Sequence, residues 1–161
     1  HIESVRRYLA EEKDRWPSRP GDHFRHHTPI FGTMGEFGKL SQYSGYFMPD
    51  TTLAEFITGS QLAQVVGVRH TLERARTLWP ETTGALYYKM NDNYPGVSWS
   101  SVDYYGAIKQ AHYLVQKSFA PLTGVLLFDR TNLSSQEVSL PLYLLDDCRQ
   151  LNGKDLSLIH I

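Results

Sequence analysis

Apolar residues recur at helical spacing over residues 4–14, 52–78 and 107–119, which predicts three helices. A further short helix is expected over residues 33–43, within the proline-containing loop of residues 17–49, so that the helix over 52–78 is the third in chain order. Ser4 is the N-cap candidate of the first helix, while Thr52 and Glu55 fit a capping box at the start of the third. Gly59 and Gly67 each weaken the third helix by about 1 kcal/mol relative to alanine, so we expect close packing against a neighbour to hold it.

A period of two replaces the helical period in three other stretches. Residues 85–90 alternate small or polar with bulky apolar side chains and end at Asn91 and Asp92, which predicts a buried strand that leads into a polar loop. With the helix that follows, this strand makes a βα unit. Residues 122–128 and 138–145 are also strand-like, with a polar turn over 129–136.

The change from helical to strand-like pattern near Ala120 predicts a domain boundary. Beyond it, Cys148 is expected to be a core residue of the second domain. The tail, residues 156–161, fits a third strand but also resembles the peptide that results when a sequencing adaptor is translated.

Composition narrows the classes of partner. The chain has 161 residues, 41% of them apolar, which suits a globular protein. Its 16 basic and 17 acidic residues leave no electrostatic footprint for nucleic acid or an anionic membrane surface. A single cysteine excludes an internal disulfide framework and a cysteine-based zinc site. No apolar run is long enough to span a membrane, and residues 1–16 are too charged for a signal peptide. Because the chain starts at His1 without a methionine, this says nothing about the parent protein, whose location stays unknown, with the cytoplasm favoured.

The stretch from residue 84 to residue 113 carries the most specific pattern. It contains GALYY, ND, YP, SWSS, DYYG, K and HY in register. This stretch closely resembles the last βα unit of the catalytic barrel in glycoside hydrolase family 2, in the β-mannosidase branch, where the form is G-A-L-Y-W-Q-L-N-D-x-W-P-x-x-S-W-S-S-x-D-Y-Y-G-x-x-K-x-x-H-Y. The family has tryptophan where this chain has Tyr88 and Tyr94, and both tyrosines keep an aromatic face.

The resemblance, which covers residues 1 to about 128, implies an α/β fold in two parts. Residues 1–119 would form the C-terminal part of a (β/α)8 TIM barrel, and residues 120–161 the first strands of an immunoglobulin-like β-sandwich. The implied activity is that of a retaining exo-β-glycosidase on terminal β-mannosides, with a glycoside or oligosaccharide as substrate and no cofactor. An exo-β-glucosaminidase, a β-galactosidase and a non-catalytic carbohydrate-binding protein on a degenerate barrel stay open.

The resemblance also places the catalytic carboxylates outside this chain. Retaining hydrolysis needs two carboxyl groups about 5–5.5 Å apart. In the family both are glutamates on earlier barrel strands, and the nucleophile motif S-E-[FY]-G-x-Q-S-x-P would end just before His1. Glu36 in Gly-Glu-Phe-Gly imitates that motif, but no strand-like run precedes it and Q-S-x-P does not follow. We therefore interpret Glu36 as an ordinary surface carboxylate.

Four residues remain as candidates for substrate binding: Tyr88, Asn91, Asp92 and Trp99. Tyr88 matches the family tryptophan in the floor of the sugar site, and otherwise it would be a large residue of the barrel interior. Asn91 and Asp92 could bond sugar hydroxyls or cap the loop backbone. Trp99 could line the site or bury the loop.

Several other polar residues are expected to have structural roles. Asp103 and Lys109 are interpreted as a pair at the start of the last helix. His23, His26 and His27 lie in a loop between prolines, where no helix places two of them on one face, so we favour loop packing over a metal site. A contact of His26 or His27 with a sugar stays open.

Overall fold

The computed structural model describes residues 1–11, 26–28, 35–49, 51–128, 139–149 and 151. Within these residues the chain forms four helices and a two-stranded sheet. The helices are α1 (Ile2–Tyr8), α2 (Gly35–Gly45), α3 (Leu53–Thr77) and α4 (Gln110–Ser118), and the strands are β1 (Leu122–Leu126) and β2 (Leu142–Asp146). No helix in this part of the chain is both long and apolar enough to cross a membrane.

The long helix α3 is the element on which the others pack. Thr52 is its N-cap, and the predicted capping box with Glu55 is confirmed, since each side chain bonds the other's backbone N–H. Helix α2 crosses at Gly59, where the Ser44 side chain and carbonyl fill the space that a Cβ would take. Gly67 has open space beside it, so close packing explains only one of the two glycines.

Helix α1 differs from the prediction for residues 4–14. It begins at Ile2, and Ser4 is a buried residue inside it rather than its N-cap. It ends at Tyr8 because Leu9 leaves the helix and packs with Val5 and Phe56 in the hydrophobic core.

Residues 85–90 bend at Tyr88 and Met90, and the predicted strand is not formed among the described residues. A strand needs a partner for its backbone N–H and C=O groups, and only the next residue, Asn91, forms an isolated bridge, with Val102. The side chains alternate, but the bulky apolar residues Leu86, Tyr88 and Met90, which a buried strand would cover, are the exposed ones. Ala85, Tyr87 and Lys89 are half-buried, whereas the residues between them are exposed.

Helix α4 begins three residues later than predicted. Gly106 adopts φ +82°, and the N–H of Ala107 donates to Asp103 Oδ1 at 2.9 Å. Ile108 then bridges to Val102, so residues 107–109 are held out of the helix. The C-terminal end agrees with the prediction to within one residue.

The sheet is antiparallel, with Leu122 opposite Asp146 and Leu126 opposite Leu142. Both predicted strands are therefore present but shorter, while the predicted turn over 129–136 and the tail over 156–161 lie outside the described residues. Cys148 is exposed, which corrects the expectation of a core cysteine, because it lies in the turn after β2 rather than on a strand.

One arginine joins the sheet to the helices. Arg76 near the end of α3 donates to the carbonyl of Ser118 in α4 and, at 2.8 Å, to Oδ2 of Asp147 just after β2. Its side chain is largely buried, so the two-stranded sheet has a fixed attachment to α3 and α4.

Candidate active-site wall

Three large apolar side chains of residues 85–90 are exposed. Leu86 is 100% exposed, Tyr88 75% and Met90 61%. They alternate with the half-buried residues Ala85, Tyr87 and Lys89. The predicted site residue Tyr88 therefore presents its ring to the surroundings, and the peptide bond that joins it to Lys89 is cis.

The half-buried side of this segment is tied to the loop before α4. The hydroxyl of Tyr87 lies 3.2 Å from Ser101 Oγ, and the N–H of Ser101 donates to the carbonyls of Lys89 and Met90. These contacts flank Tyr88 on both sides. The exposed ring thus has a fixed backbone beneath it.

Asp92 is 6% exposed and is the centre of a polar network. Ser98 Oγ donates to its Oδ1 at 2.5 Å and Ser100 Oγ to its Oδ2 at 2.6 Å. The ammonium of Lys89 lies 2.9 Å from Oδ1. Both carboxylate oxygens are engaged inside the protein, which favours the loop-anchoring role over a sugar contact.

Lys109 completes this network from the start of α4. Only 8% of the residue is exposed, and its ammonium donates to Ser100 Oγ and to the Ser98 carbonyl, both at 3.0 Å. Because Ser100 has one proton, which it donates to Asp92, its oxygen is available to accept from Lys109. Lysine, serine and aspartate therefore form one directed chain of hydrogen bonds.

The network determines the charge state of its carboxylate. Burial favours the neutral acid, but hydrogen bonds from Ser100, Ser98 and Lys89 and the charge of Lys109 outweigh it and hold the pKa of Asp92 below its usual range. The pKa of Lys109 is also lowered, by burial first and by the charge of Lys89, against the opposing effect of Asp92 and Asp103.

Asp103 and Lys109 are both structural, but through separate partners. Asp103 Oδ1 accepts the backbone N–H groups of Tyr105 and Ala107, which closes the turn before α4. The Lys109 ammonium bonds the Ser98–Ser100 segment instead. The sequence predicted the roles of the two residues but not the partners.

Trp99 is half-buried between its loop and α3. Its carbonyl accepts a hydrogen bond from Gln64 Nε2, and its side chain lines a cavity of about 70 Å³ with Ile57 and Ser60. Ligand pockets usually measure about 300–1,000 Å³. The cavity is therefore too small to be a sugar site by itself, and of the two roles left open for Trp99 the contacts favour burial of the loop.

Asn91 is exposed directly after residues 85–90, next to Asp92, and its Nδ2 lies 3.4 Å from the Asp92 carbonyl. That contact is too long to fix the amide firmly. Asn91 is thus on the surface, three residues after Tyr88.

The described loop histidines pack against the aromatic loop. The His27 ring is stacked on Tyr94 with centroids 5.5 Å apart, and its Nδ1 lies 2.7 Å from the Pro95 carbonyl. The His27 carbonyl accepts from Val97 N–H, and a Cβ at Gly96 would clash with that carbonyl oxygen. Loop packing is confirmed for His27, while His23 lies outside the described residues. The part of the chain that the structure describes contains no cluster of metal-ligating side chains.

Glu36 lies in the first turn of α2. Its side chain lies outside the described part of the structure. The sequence analysis did not predict that Lys89, Ser98 and Ser100 form a network with Asp92. The signal that could have predicted it is the presence of three serines within four residues, close to a carboxylate in a predicted loop.

Comparison with known proteins gives these residues a context. No protein-family profile matches the chain. A β-mannosidase from Capra hircus is 43% identical over 58 residues, which are 36% of this chain and 7% of that protein. The β-mannosidase B of Aspergillus niger is 25% identical over 129 residues, 76% of this chain and 14% of that protein. The chain thus spans a small part of the length of the curated relatives it matches.

Comparison of folds also finds a β-mannosidase. The crystal structure of a β-D-mannosidase from Dictyoglomus thermophilum superposes with a TM-score of 0.74 over 91% of this chain and 17% of that one, at 24% sequence identity. In sequence and in fold, the chain is β-mannosidase-like and resembles a short part of those members of glycoside hydrolase family 2.

Proposed function

We propose that the complete protein containing this chain is a retaining exo-β-glycosidase that acts on terminal β-mannosides. The observation that carries the proposal is the joint likeness, in sequence and in fold, to β-mannosidases from several organisms. An exposed aromatic ring next to an exposed amide, Tyr88 and Asn91, suits a pyranose, whose C–H face packs on aromatics and whose hydroxyls bond amides.

In this proposal residues 1–119 are the end of a TIM barrel and residues 120–161 begin an immunoglobulin-like sandwich. We assign residues 85–90 to a strand of the barrel. In the closed barrel, the strand on each side would pair with the backbone N–H and C=O groups of this segment. The antiparallel pair of β1 and β2 fits the opening of a sandwich.

The catalytic roles are divided between this chain and the sequence before it. Two glutamates upstream of residue 1 act as nucleophile and as acid/base, about 5–5.5 Å apart. Tyr88 forms a wall that orients the sugar ring, and Asn91 bonds a hydroxyl. Asp92 holds the loop, and Trp99 fills the space behind it. No cofactor takes part in this chemistry.

The test uses the complete protein with 4-nitrophenyl β-glycosides of mannose, glucose, galactose and glucosamine. We expect the highest kcat/KM for the mannoside. Proton NMR of the first product should show the β-anomer of mannose before mutarotation, because double displacement retains configuration.

Other outcomes replace the proposal by a named alternative. A preference for the glucosaminide or galactoside would assign the protein to those activities. Binding of mannose without turnover of any glycoside would indicate a carbohydrate-binding protein on a degenerate barrel. Release of the α-anomer first would exclude the retaining mechanism.

A further inference from the structure

The network around Asp92 links a buried lysine to an exposed aromatic ring. Lys109 Nζ and Ser100 Oγ are 3.0 Å apart, Ser100 Oγ and Asp92 Oδ2 are 2.6 Å apart, and Asp92 Oδ1 and Lys89 Nζ are 2.9 Å apart. Lys89 is the residue that follows Tyr88. Four side chains thus connect the start of α4 to the backbone beneath the Tyr88 ring.

We propose that Lys109 is a positioning residue that sets the orientation of Tyr88 through Ser100, Asp92 and Lys89. The inference rests on the proposed function for its kinetic consequence, since Tyr88 is there the wall of the sugar site. Its structural part, that the ring of Tyr88 depends on Lys109, does not need that function.

The contacts explain why the orientation of the Tyr88 ring would depend on this network rather than on packing of the ring itself. Tyr88 is 75% exposed, so its own side chain receives little support from packing. Its neighbours are held, since Lys89 pairs with Asp92 and Tyr87 bonds Ser101. The residues on either side of the ring therefore determine its orientation.

Lys109 is the N-cap residue of α4 and reaches the loop from the start of that helix. Its ammonium bonds Ser98 and Ser100, and its backbone N–H donates to Ser101 at 2.9 Å. Replacement of Lys109 by methionine keeps a long apolar side chain and removes only the donors and the charge. Ser100 then loses the hydrogen bond from the ammonium, and Asp92 loses a neighbouring cation.

The kinetic test is a double-mutant cycle in the complete protein. Lys109→Met should lower kcat/KM for 4-nitrophenyl β-mannoside by about 10- to 100-fold when Tyr88 is present, because a small displacement of a positioning group is costly in this range. In the Tyr88→Ala background the same substitution should change kcat/KM less than about twofold, since the residue through which it acts is gone. Equal losses in both backgrounds would show a general structural role and overturn the proposal.

A second measurement does not depend on activity. 3,5-Difluorotyrosine placed at position 88 of the complete protein gives one ¹⁹F signal. Lys109→Met should shift or broaden this signal, whereas the matched control Lys117→Met, at an exposed lysine of α4, should leave it unchanged. An unchanged signal in Lys109→Met overturns the proposal. If the complete protein cleaves no glycoside, the proposed function fails and the ¹⁹F signal alone decides whether Lys109 orients Tyr88.

Discussion

Only glycine at position 96 leaves room for the carbonyl oxygen of His27. A Cβ there would overlap this oxygen, which accepts the hydrogen bond from Val97 N–H at 2.7 Å. Two segments nearly 70 residues apart therefore meet backbone to backbone, and the stacked pair of His27 and Tyr94 forms beside them. The approach fixes the aromatic loop that follows Asn91 and Asp92.

Gly96→Ala should destabilise the complete protein by about 1–3 kcal/mol, because backbone at both sides of the clash cannot move as a side chain can. Chemical denaturation followed by fluorescence measures this difference. Gly67→Ala is the control, since open space surrounds that position and alanine favours the helix. Equal stability of Gly96→Ala and the parent protein would contradict the close approach.

Tyr88→Ala should lower kcat/KM of the complete protein severely, by about 100-fold, because the sugar loses the wall that positions it near the nucleophile. Tyr88→Trp, which introduces the residue usual in the family, should retain most of the activity. Tyr46→Ala is the control, at a tyrosine of similar exposure in the turn after α2. A change of only a few-fold for Tyr88→Ala would assign the ring to packing.

Asp92 should make the stability of the protein depend on pH. Its pKa in the folded state lies below the unfolded value of about 3.9, so its ionised form stabilises the fold. That contribution is complete above the unfolded pKa and is lost as the pH falls through the folded pKa. Asp92→Asn should therefore lower Tm at pH 7, and its deficit should shrink as the pH falls below 4.

Thermal unfolding of the complete protein between pH 2.5 and 7, within the range where it stays soluble, measures this dependence. Glu81→Gln removes an exposed carboxylate and should follow the parent curve. A deficit of Asp92→Asn that is the same at all pH values would contradict the role of the ionised carboxylate.

The isolated 161-residue chain should be aggregation-prone or molten in solution. Leu86, Tyr88 and Met90 are exposed large apolar residues, and their segment is not part of a sheet among the described residues. Size-exclusion chromatography and dye binding to exposed apolar surface measure this state. Leu86→Lys should reduce the aggregated fraction. A monodisperse monomer with a sharp thermal transition would show that the chain folds independently.

The same chain should not cleave 4-nitrophenyl β-mannoside above the rate without protein, because we expect both catalytic glutamates to precede residue 1. Colour release over several hours measures this directly. Glu36→Gln is the informative variant. If the chain is active and Glu36→Gln abolishes the activity, our location of the nucleophile is wrong.

Local signals in the sequence predicted the helices well. Thr52 and Glu55 give α3 its N-terminus through contacts within one turn, and such short-range chemistry can be read from residue order. The alternation over residues 85–90 is present as alternating half-buried and exposed side chains. However, the strand was predicted to be buried, and the bulky apolar residues Leu86, Tyr88 and Met90 are the exposed ones. The segment is not a strand among the described residues, because a strand depends on distant partners that the pattern does not contain.

The candidate site was predicted in part. The sequence picked out Tyr88 and Asn91, which the structure leaves exposed, and Asp92, whose two possible roles it did not separate. The deciding contacts, from Ser98, Ser100 and Lys109, come from residues up to 17 positions away along a folded loop. The late start of α4 was missed because Asp103 captures the Ala107 N–H by a side-chain contact that no periodicity records.

Contacts alternate along residues 85–90, so neighbouring positions of the segment should differ in how far a substitution affects stability. Tyr87 and Lys89 hold the fold together, so most replacements there would be selected against for instability. Positions 86, 88 and 90 carry side chains that the rest of the described chain barely touches. A library randomised at these three codons would therefore sample new surfaces with little risk to the network behind them.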